Sequence, residues 1–458
     1  MNIIVIVSDT YRYDNLAVGG GKALAHELDA FVSKSVSFDR CYISSFPTIP
    51  HRTDALTGTF GFPFYGWQPL DANLTTMGEV LQQNGYITQL ICDTPHFLKR
   101  GYNFDRGFFG YHWTRGQEGD CPLTAMNYPI EQQMPYEKTR LSPMNFGHPL
   151  VDMHKWVNRE WTWEEDRFAV KTCRTASKWL EEIHKTDKFF LWVDCFDPHE
   201  PWDPPEYLVD LFDPGCEDTP MLHPNYGHAS AYTPAELKNL QAHYRAEAKL
   251  VSKWVGHLLK KVEELQLLDD TVVVFTTDHG FFIGEHDRTG KSNISKEDER
   301  GAWPLYEEVS HIPLVVHFPG CKAKRVKEIA QPTDLMPTLL DLAGVKIPKQ
   351  CHGKSLKPLL KGSKAKWPQR YAFSSTALTT AGRAEQPWTT VYDKNWAFFI
   401  GGKPEEKPEL YDLRTDPTQT KNVLAKNPEV AKRMHNALLK FLKDLGTDEE
   451  KTASVAEF

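Results

Sequence analysis

The sequence predicts an α/β fold, a mostly parallel sheet sandwiched by helices, followed by a small C-terminal α+β subdomain. Three observations carry this. Five short runs, NIIVIVSD, YITQLIC, KFFLWVDC, TVVVFTTD and IPLVVHF, are continuously apolar and β-branched or aromatic, as strands covered on both faces must be. Helical stretches separate them, and strand–helix alternation is the pattern of a parallel sheet. After KGSKAKWPQR the strand-like pieces come without long helices between them, which marks the appendage.

In chain order, MNIIVIVSDTYRYDN comes first. Its apolar run is too short and too soon polar for a signal peptide or a membrane span, so it reads as a buried strand starting at residue 2. Residues 109–165 are rich in aromatics, Met and Pro and read as a packed insertion rather than a sugar platform. Such loops over a strand-end site are where specificity resides. The clearest helix starts at TPAE: Thr233 caps, Pro234 takes the first helical position and Glu236 completes a capping box. Apolar residues then recur at Leu237, Leu240, Tyr244, Val251, Trp254, Leu258 and Val262 along one stripe. KEDER, 296–300, reads as a solvated loop face. RYAFSST, WTTVYDKNWAFFI and ELYDL, then the helical NPEVAKRMHNALLKFLKDL, predict a small antiparallel sheet with a closing helix. The expected division is a main α/β domain over 1–365 and a subdomain over 366–458. TDEEKTASVAEF at the end is expected to be loose or used in an oligomer contact.

Composition narrows the function. With 40% hydrophobic and 25% charged residues the chain is ordinary globular protein, and a net charge of −8 offers no footprint for nucleic acid or an anionic membrane. Eight cysteines lie scattered without a CxxC pair, which reads as reduced thiols in a cytoplasmic protein. No GxGxxG fingerprint, P-loop or GxSxG elbow is present.

Ligands of such sheets sit outside the carboxyl ends of the strands. The first strand ends at Asp9, the third runs into DCFDPHEPW with Asp197 and His199, and the fourth ends in Asp278-His279-Gly280. A single aspartate after a strand is more often a cap or a turn residue. Asp-His-Gly is harder to dismiss, because it presents two ligand types in succession before a glycine.

TIPHRTDALTG resembles the sulfatase signature, in which a cysteine or serine stands two before a proline and four before an arginine, ahead of Leu-Thr-Gly. TTDHGFFIGEHDRTGK is similar to that family's second metal-binding segment, with Lys291 twelve residues beyond His279. LYEEVSHIPLVVHFPG, QPTDLMPTLLDLAGVKIP, HGKSLKPLL and ELYDLRTDPTQTKNV also match, in the family's order. On these motifs the chain is identified as a member of the sulfatase-like branch of the alkaline phosphatase superfamily. The resemblance implies a metal site of Asp9, Thr48, Asp278 and His279. It places Thr48 on the nucleophile, Arg52 on the arginine that orients it, His199 on the histidine that helps the leaving group, and Lys291 on the lysine that grips the transferred group. His96 is retained from a Gly-Lys-x-His segment whose lysine is missing here. The ligands form a hard, oxygen-rich set suited to one divalent ion, manganese, magnesium or calcium, with zinc as an alternative.

Two departures matter. Thr10 replaces the second aspartate of the family's pair, and Thr48 replaces the cysteine or serine from which formylglycine is made. Threonine cannot supply that aldehyde. A divalent cation can lower the pKa of an oxygen it holds by several units, which makes an alcohol a competent nucleophile. The expectation is hydrolysis of phosphate or phosphonate esters, diesters or monoesters, through Thr48. Sulfate ester hydrolysis without formylglycine is the alternative, and a non-catalytic anion binder or a transferase comes after it. The expected partner is a small anionic ester, with a homo-oligomer as a further option and neither nucleic acid nor membrane expected. Whether Thr10 or His286 joins the site stays open at this level.

Overall fold

The computed structural model describes residues 1–122, 128–140, 147–294, 301–362, 367–378, 387–403 and 405–457. Its centre is an eight-stranded sheet. From edge to edge the order is Lys324–Ala330, Val36–Cys41, Leu314–His317, Thr271–Thr277, Asn2–Ser8, Phe189–Cys195, Ile87–Cys92 and Gly110–Trp113. Every neighbouring pair is parallel except the two made by Leu314–His317, which runs against both its neighbours.

The first strand shows why the apolar runs are continuous. Ile3, Val5 and Val7 point into one core with Ile49, Leu56, Met77 and Leu339. Ile4 and Ile6 point into the other, with Leu28, Cys173, Val251 and Leu258. Alternate side chains of a strand face opposite ways, so helices on both faces demand apolar residues at every position. Each such side chain contributes about 1.5–3 kcal/mol by leaving water.

The helix predicted at TPAE spans Pro234–Glu264, and its capping box forms: Thr233 N donates to Glu236 Oε2 at 2.7 Å and Glu236 N donates to Thr233 Oγ1 at 3.2 Å. This satisfies two amide donors that the first turn would otherwise leave unpaired.

The C-terminal strands Ala372–Ser375, Trp388–Tyr392, Trp396–Gly401 and Glu409–Asp412 form an antiparallel sheet in that order, with helix Pro428–Leu445 packed on it. WTTVYDKNWAFFI is therefore a hairpin, turning between Tyr392 and Trp396. The expected boundary at 365 and the KEDER stretch both fall outside the described residues. The expectation of a loose tail is corrected. Val455 is fully buried in the C-terminal core, His435 Nε2 donates to its carbonyl at 2.8 Å, and Lys451 Nζ donates to Phe64 O at 2.9 Å. An apolar side chain in a polar stretch was enough to anchor it. All eight cysteines are free thiols. No helix among the described residues is long and apolar enough to cross a membrane.

Candidate active site

The register of three adjacent strands builds the site. Ser8 pairs with Thr277 on one side and Cys195 on the other, so the residues that follow each strand emerge at one edge. Asp9, Asp278 and His279 meet there, each fully buried, with one potential ligand atom from each lying within 4.8 Å of the others. Gly280 follows because a Cβ there would sit 1.9 Å from Glu308 O. Its amide donates to Val309 O at 2.8 Å, which pins the turn.

The donor set fits a cation. His279 Nδ1 lies 2.8 Å from Gly280 O, and a carbonyl only accepts, so Nδ1 carries the proton and Nε2 carries the lone pair. That lone pair is buried without a hydrogen-bond partner, 3.4 Å from Asp278 Oδ2 and 4.0 Å from Asp9 Oδ1. Asp9 Oδ2 is likewise buried without a hydrogen bond. Acceptors crowded together in a dry place repel one another unless a positive charge lies between them. Burial holds the His279 imidazole down to about 3, so it is a neutral ligand at neutral pH. Burial and the neighbouring Asp278 push the Asp9 carboxyl up, whereas His279 and Arg52 outweigh burial at Asp278 and hold it down.

Arg52 sits beneath this group, fully buried. Its Nη1 lies 3.0 Å from Asp9 Oδ2 and donates to Asp278 Oδ2, and its Nη2 lies 2.8 Å from Asp194 Oδ1. Burial alone would discharge it; the carboxylates of Asp194, Asp278 and Asp9 keep it charged. Asp194 is in turn held by Thr94 Oγ1 at 2.5 Å and Trp192 Nε1 at 2.9 Å. Thr10 adds a second brace, with its amide on Asp278 Oδ1 at 2.9 Å and its hydroxyl on Asp9 Oδ1 at 2.7 Å.

Thr48 opens helix Thr48–Thr57. Asp54 fixes that helix by accepting from Ser45 N at 2.9 Å and Gly61 N at 2.8 Å. Gly58 ends it in the left-handed region, φ 71°, where a Cβ would also strike Cys351 Sγ at 2.8 Å. Thr48 then lines a cavity of about 400 Å³ together with His96, His199, Lys291, Glu118 and Arg140. His199 stacks on Phe196 with ring centres 4.0 Å apart and donates Nδ1 to Glu200 O at 2.8 Å. Burial, then Lys291, hold its imidazole well below the ordinary value, so the ring is neutral with its lone pair on Nε2.

The sulfatase family model matches residues 1–345. The chain belongs to the sulfatase family. A second model, the C-terminal region of N-sulphoglucosamine sulphohydrolase, matches residues 301–444. This sulfatase-family protein is 26% identical to an arylsulfatase of Clostridium perfringens, covering 98% of this chain and 95% of that one. It is 24% identical to human arylsulfatase K, covering 94% and 80%. Among solved structures, the phosphonate monoester hydrolase of Agrobacterium radiobacter superposes with a TM-score of 0.75 at 19% identity, covering 98% and 96%. A protein solved with its substrate D-glucosamine-2-N,6-O-disulfate gives 0.73 at 19% identity, covering 98% and 99%. As a family member the chain is an ester hydrolase.

In this sulfatase-family fold the expected residues fall into two groups. Asp9, Asp278, His279 and Arg52 form the buried cluster; Thr48, His96, His199 and Lys291 line the cavity beside it. Arg52 pairs with the carboxylates of Asp9, Asp194 and Asp278 and also donates Nη1 to Thr48 O at 3.3 Å. Thr10 supports Asp9 and Asp278 through hydrogen bonds. His286 lies elsewhere, stacked on Tyr306 at 4.1 Å and paired with Glu308 at 3.3 Å. The sequence reading passed over Glu118, Arg140, Glu200 and Asp194. Glu200 and Asp194 stood beside residues already singled out, one after His199 and one within the third strand. Glu118 and Arg140 come from the 109–165 insertion and had no spacing to announce them.

Proposed function

We propose that this chain hydrolyses phosphate or phosphonate esters with Thr48 Oγ1 as nucleophile. The observation that carries the reading is the Thr48 hydroxyl. It heads its helix, lines the cavity next to Asp9, Asp278 and His279, and makes no hydrogen bond among the described residues. A hydroxyl that neither caps nor braces anything is free for chemistry.

A divalent cation held by Asp9, Asp278 and His279 would supply the charge that makes an alcohol oxygen nucleophilic and neutralises the transferred group. The chain's own residues do the rest. Thr48 Oγ1 forms a bond to phosphorus while the ester P–O bond breaks. His199 Nε2 takes the threonine proton and returns it to the departing oxygen, so charge does not build up on the leaving group. Water then attacks the phosphothreonine, its proton passing by the same nitrogen to Oγ1, and phosphate or phosphonate leaves. Lys291, nine-tenths buried on the cavity wall, presents a fixed ammonium to the non-bridging oxygens. Arg52 and Thr10 keep the carboxylates from rotating.

Sulfate ester hydrolysis through the same threonine is the second reading, favoured by the arylsulfatase relatives. Nitrophenyl phosphate, phosphodiester, phosphonate and sulfate esters, each with manganese, magnesium, calcium and zinc, separate the two. The phosphorus esters are expected to turn over faster, with a phosphoryl adduct trapped on the Thr48 peptide by acid quench and mass spectrometry. Fastest turnover of the sulfate ester would favour the second reading, and no turnover with metal bound would refute both.

A further inference from the structure

The proposed reaction uses Thr48, His199 and Lys291, but gives no role to Arg140 on the same cavity's wall. The Arg140 guanidinium lies over the Tyr226 ring, 5.0 Å from its centre. That ring cannot move freely: Tyr226 is buried and its hydroxyl donates to Glu200. Among the described residues Arg140 makes no hydrogen bond or ion pair, and its Nε is buried without a partner.

Nearby carboxylates are already engaged. Glu118 lies 3.0 Å from His96 Nε2, and Glu200 takes the Tyr226 hydroxyl and sits 3.4 Å from His199 Nδ1. Nor does Arg140 serve the buried cluster. The guanidinium paired with Asp9, Asp194 and Asp278 is that of Arg52, and Arg140 makes no ion pair with any of them. A guanidinium resting over an aromatic ring with no carboxylate bound to it keeps N–H donors free for an oxyanion. The remaining wall carries Trp67, Trp303 and Trp388, which suit the faces of a ring.

We propose that Arg140 is a specificity residue that binds a second anionic group of the substrate, a carboxylate or another sulfate or phosphate on the ring that bears the ester. The substrate class is then a doubly anionic ester, its transferred group held by Lys291 and its second anion by Arg140. This rests on the hydrolytic reading of the cavity given above.

The test uses the full chain loaded with its best metal and three esters that share the transferred group and differ in the departing ring: plain 4-nitrophenyl, its ring-carboxylated analogue and its ring-sulfonated analogue, each rate taken relative to that of the ester in hydroxide. The native protein is expected to favour one charged ring by at least about tenfold in kcat/KM, and Arg140→Gln to abolish most of that preference while Arg140→Lys restores part of it. The ring that is preferred identifies the second anion as planar or tetrahedral. Equal losses on all three esters, or no preference in the native protein, would overturn the assignment. Calorimetry with phenylphosphonate and 4-phosphonobenzoate covers a failure of the hydrolytic reading. Tighter binding of the diacid that depends on Arg140, with no turnover of any ester, would keep this inference and reject that one; equal binding would reject this one.

Discussion

The buried cluster at the strand ends and the cavity wall above it are built on opposite principles. Asp9, Asp278, His279 and Arg52 have no solvent exposure, come from or pack beneath strand ends, and are each held by several bonds. Trp67 on the wall is 42% exposed, and Glu118 and Arg140 come from the long insertion. Oxyanion chemistry needs charges that do not reorganise when the reaction proceeds, and only a close-packed setting supplies that. Recognition of one ester among many asks for a surface that can change without unfolding the sheet, and loops supply that. In the proposed reading the buried metal-ligand cluster and the insertion residues Glu118 and Arg140 are thereby drawn from different parts of the chain.

Substitutions can break this division. At the junction of the two regions, Thr48→Ala is expected to lower kcat by about 10⁴ or more, as removal of a nucleophile does. Thr48→Ser should stay within about 10²-fold of the native rate, because the reactive oxygen survives and only the methyl that restricts χ1 is lost. Stopped-time assays on the best ester check both; full activity in Thr48→Ala would leave the threonine without a nucleophilic role. In the buried cluster, Asp278→Ala should lose more than about 10²-fold in metal affinity, since it removes a charged ligand and leaves Arg52 under-paired. Metal content measured after gel filtration, alongside rate, checks it, and retention of both would dissolve the proposed site. On the wall, Lys291→Ala should cost about 2 to 4 kcal/mol in transition-state stabilisation, read from kcat/KM, with metal content unchanged. A loss of metal instead would place Lys291 with the buried cluster.

The smallest effect sharpens the comparison through pH. His154 and His243 lie in the packing around the insertion, and burial holds each imidazole down to about 4 against an ordinary 6.5. Between those values the unfolded chain takes up protons that the folded chain refuses. Their contribution to stability is therefore complete above about pH 6.5 and lost as pH falls toward 4, by up to about 3 kcal/mol for each group. Urea midpoints should fall over that range, and His243→Gln should flatten the slope; an unchanged slope would mean that His243 titrates alike in both states.

Much of this was legible in the chain itself. Continuous apolar runs can only be strands covered twice, so the sandwich followed from composition along the chain. TPAE carried its cap, its first-turn proline and its box in four letters, because capping is local. Asp9, Thr48, Arg52, His199, Asp278, His279 and Lys291 stood at strand ends or in motifs with fixed spacing, and the backbone delivers such residues to one edge whatever else the fold does. What the sequence could not determine were relations set by packing between distant segments. Val455 looked like part of a loose tail until the core of the C-terminal sheet received it. Thr10 was a missing ligand in one dimension and a brace for two carboxylates in three, because its partner Asp278 is remote in the chain. Arg140 was one cation in an aromatic insertion, and only the fold brought it to the wall of the cavity, onto the face of Tyr226 and away from any free carboxylate. Local bonding and periodicity are written in neighbouring letters; the electrostatic surroundings of a side chain depend on which distant segments exclude water from it, and that was decided by the tertiary structure.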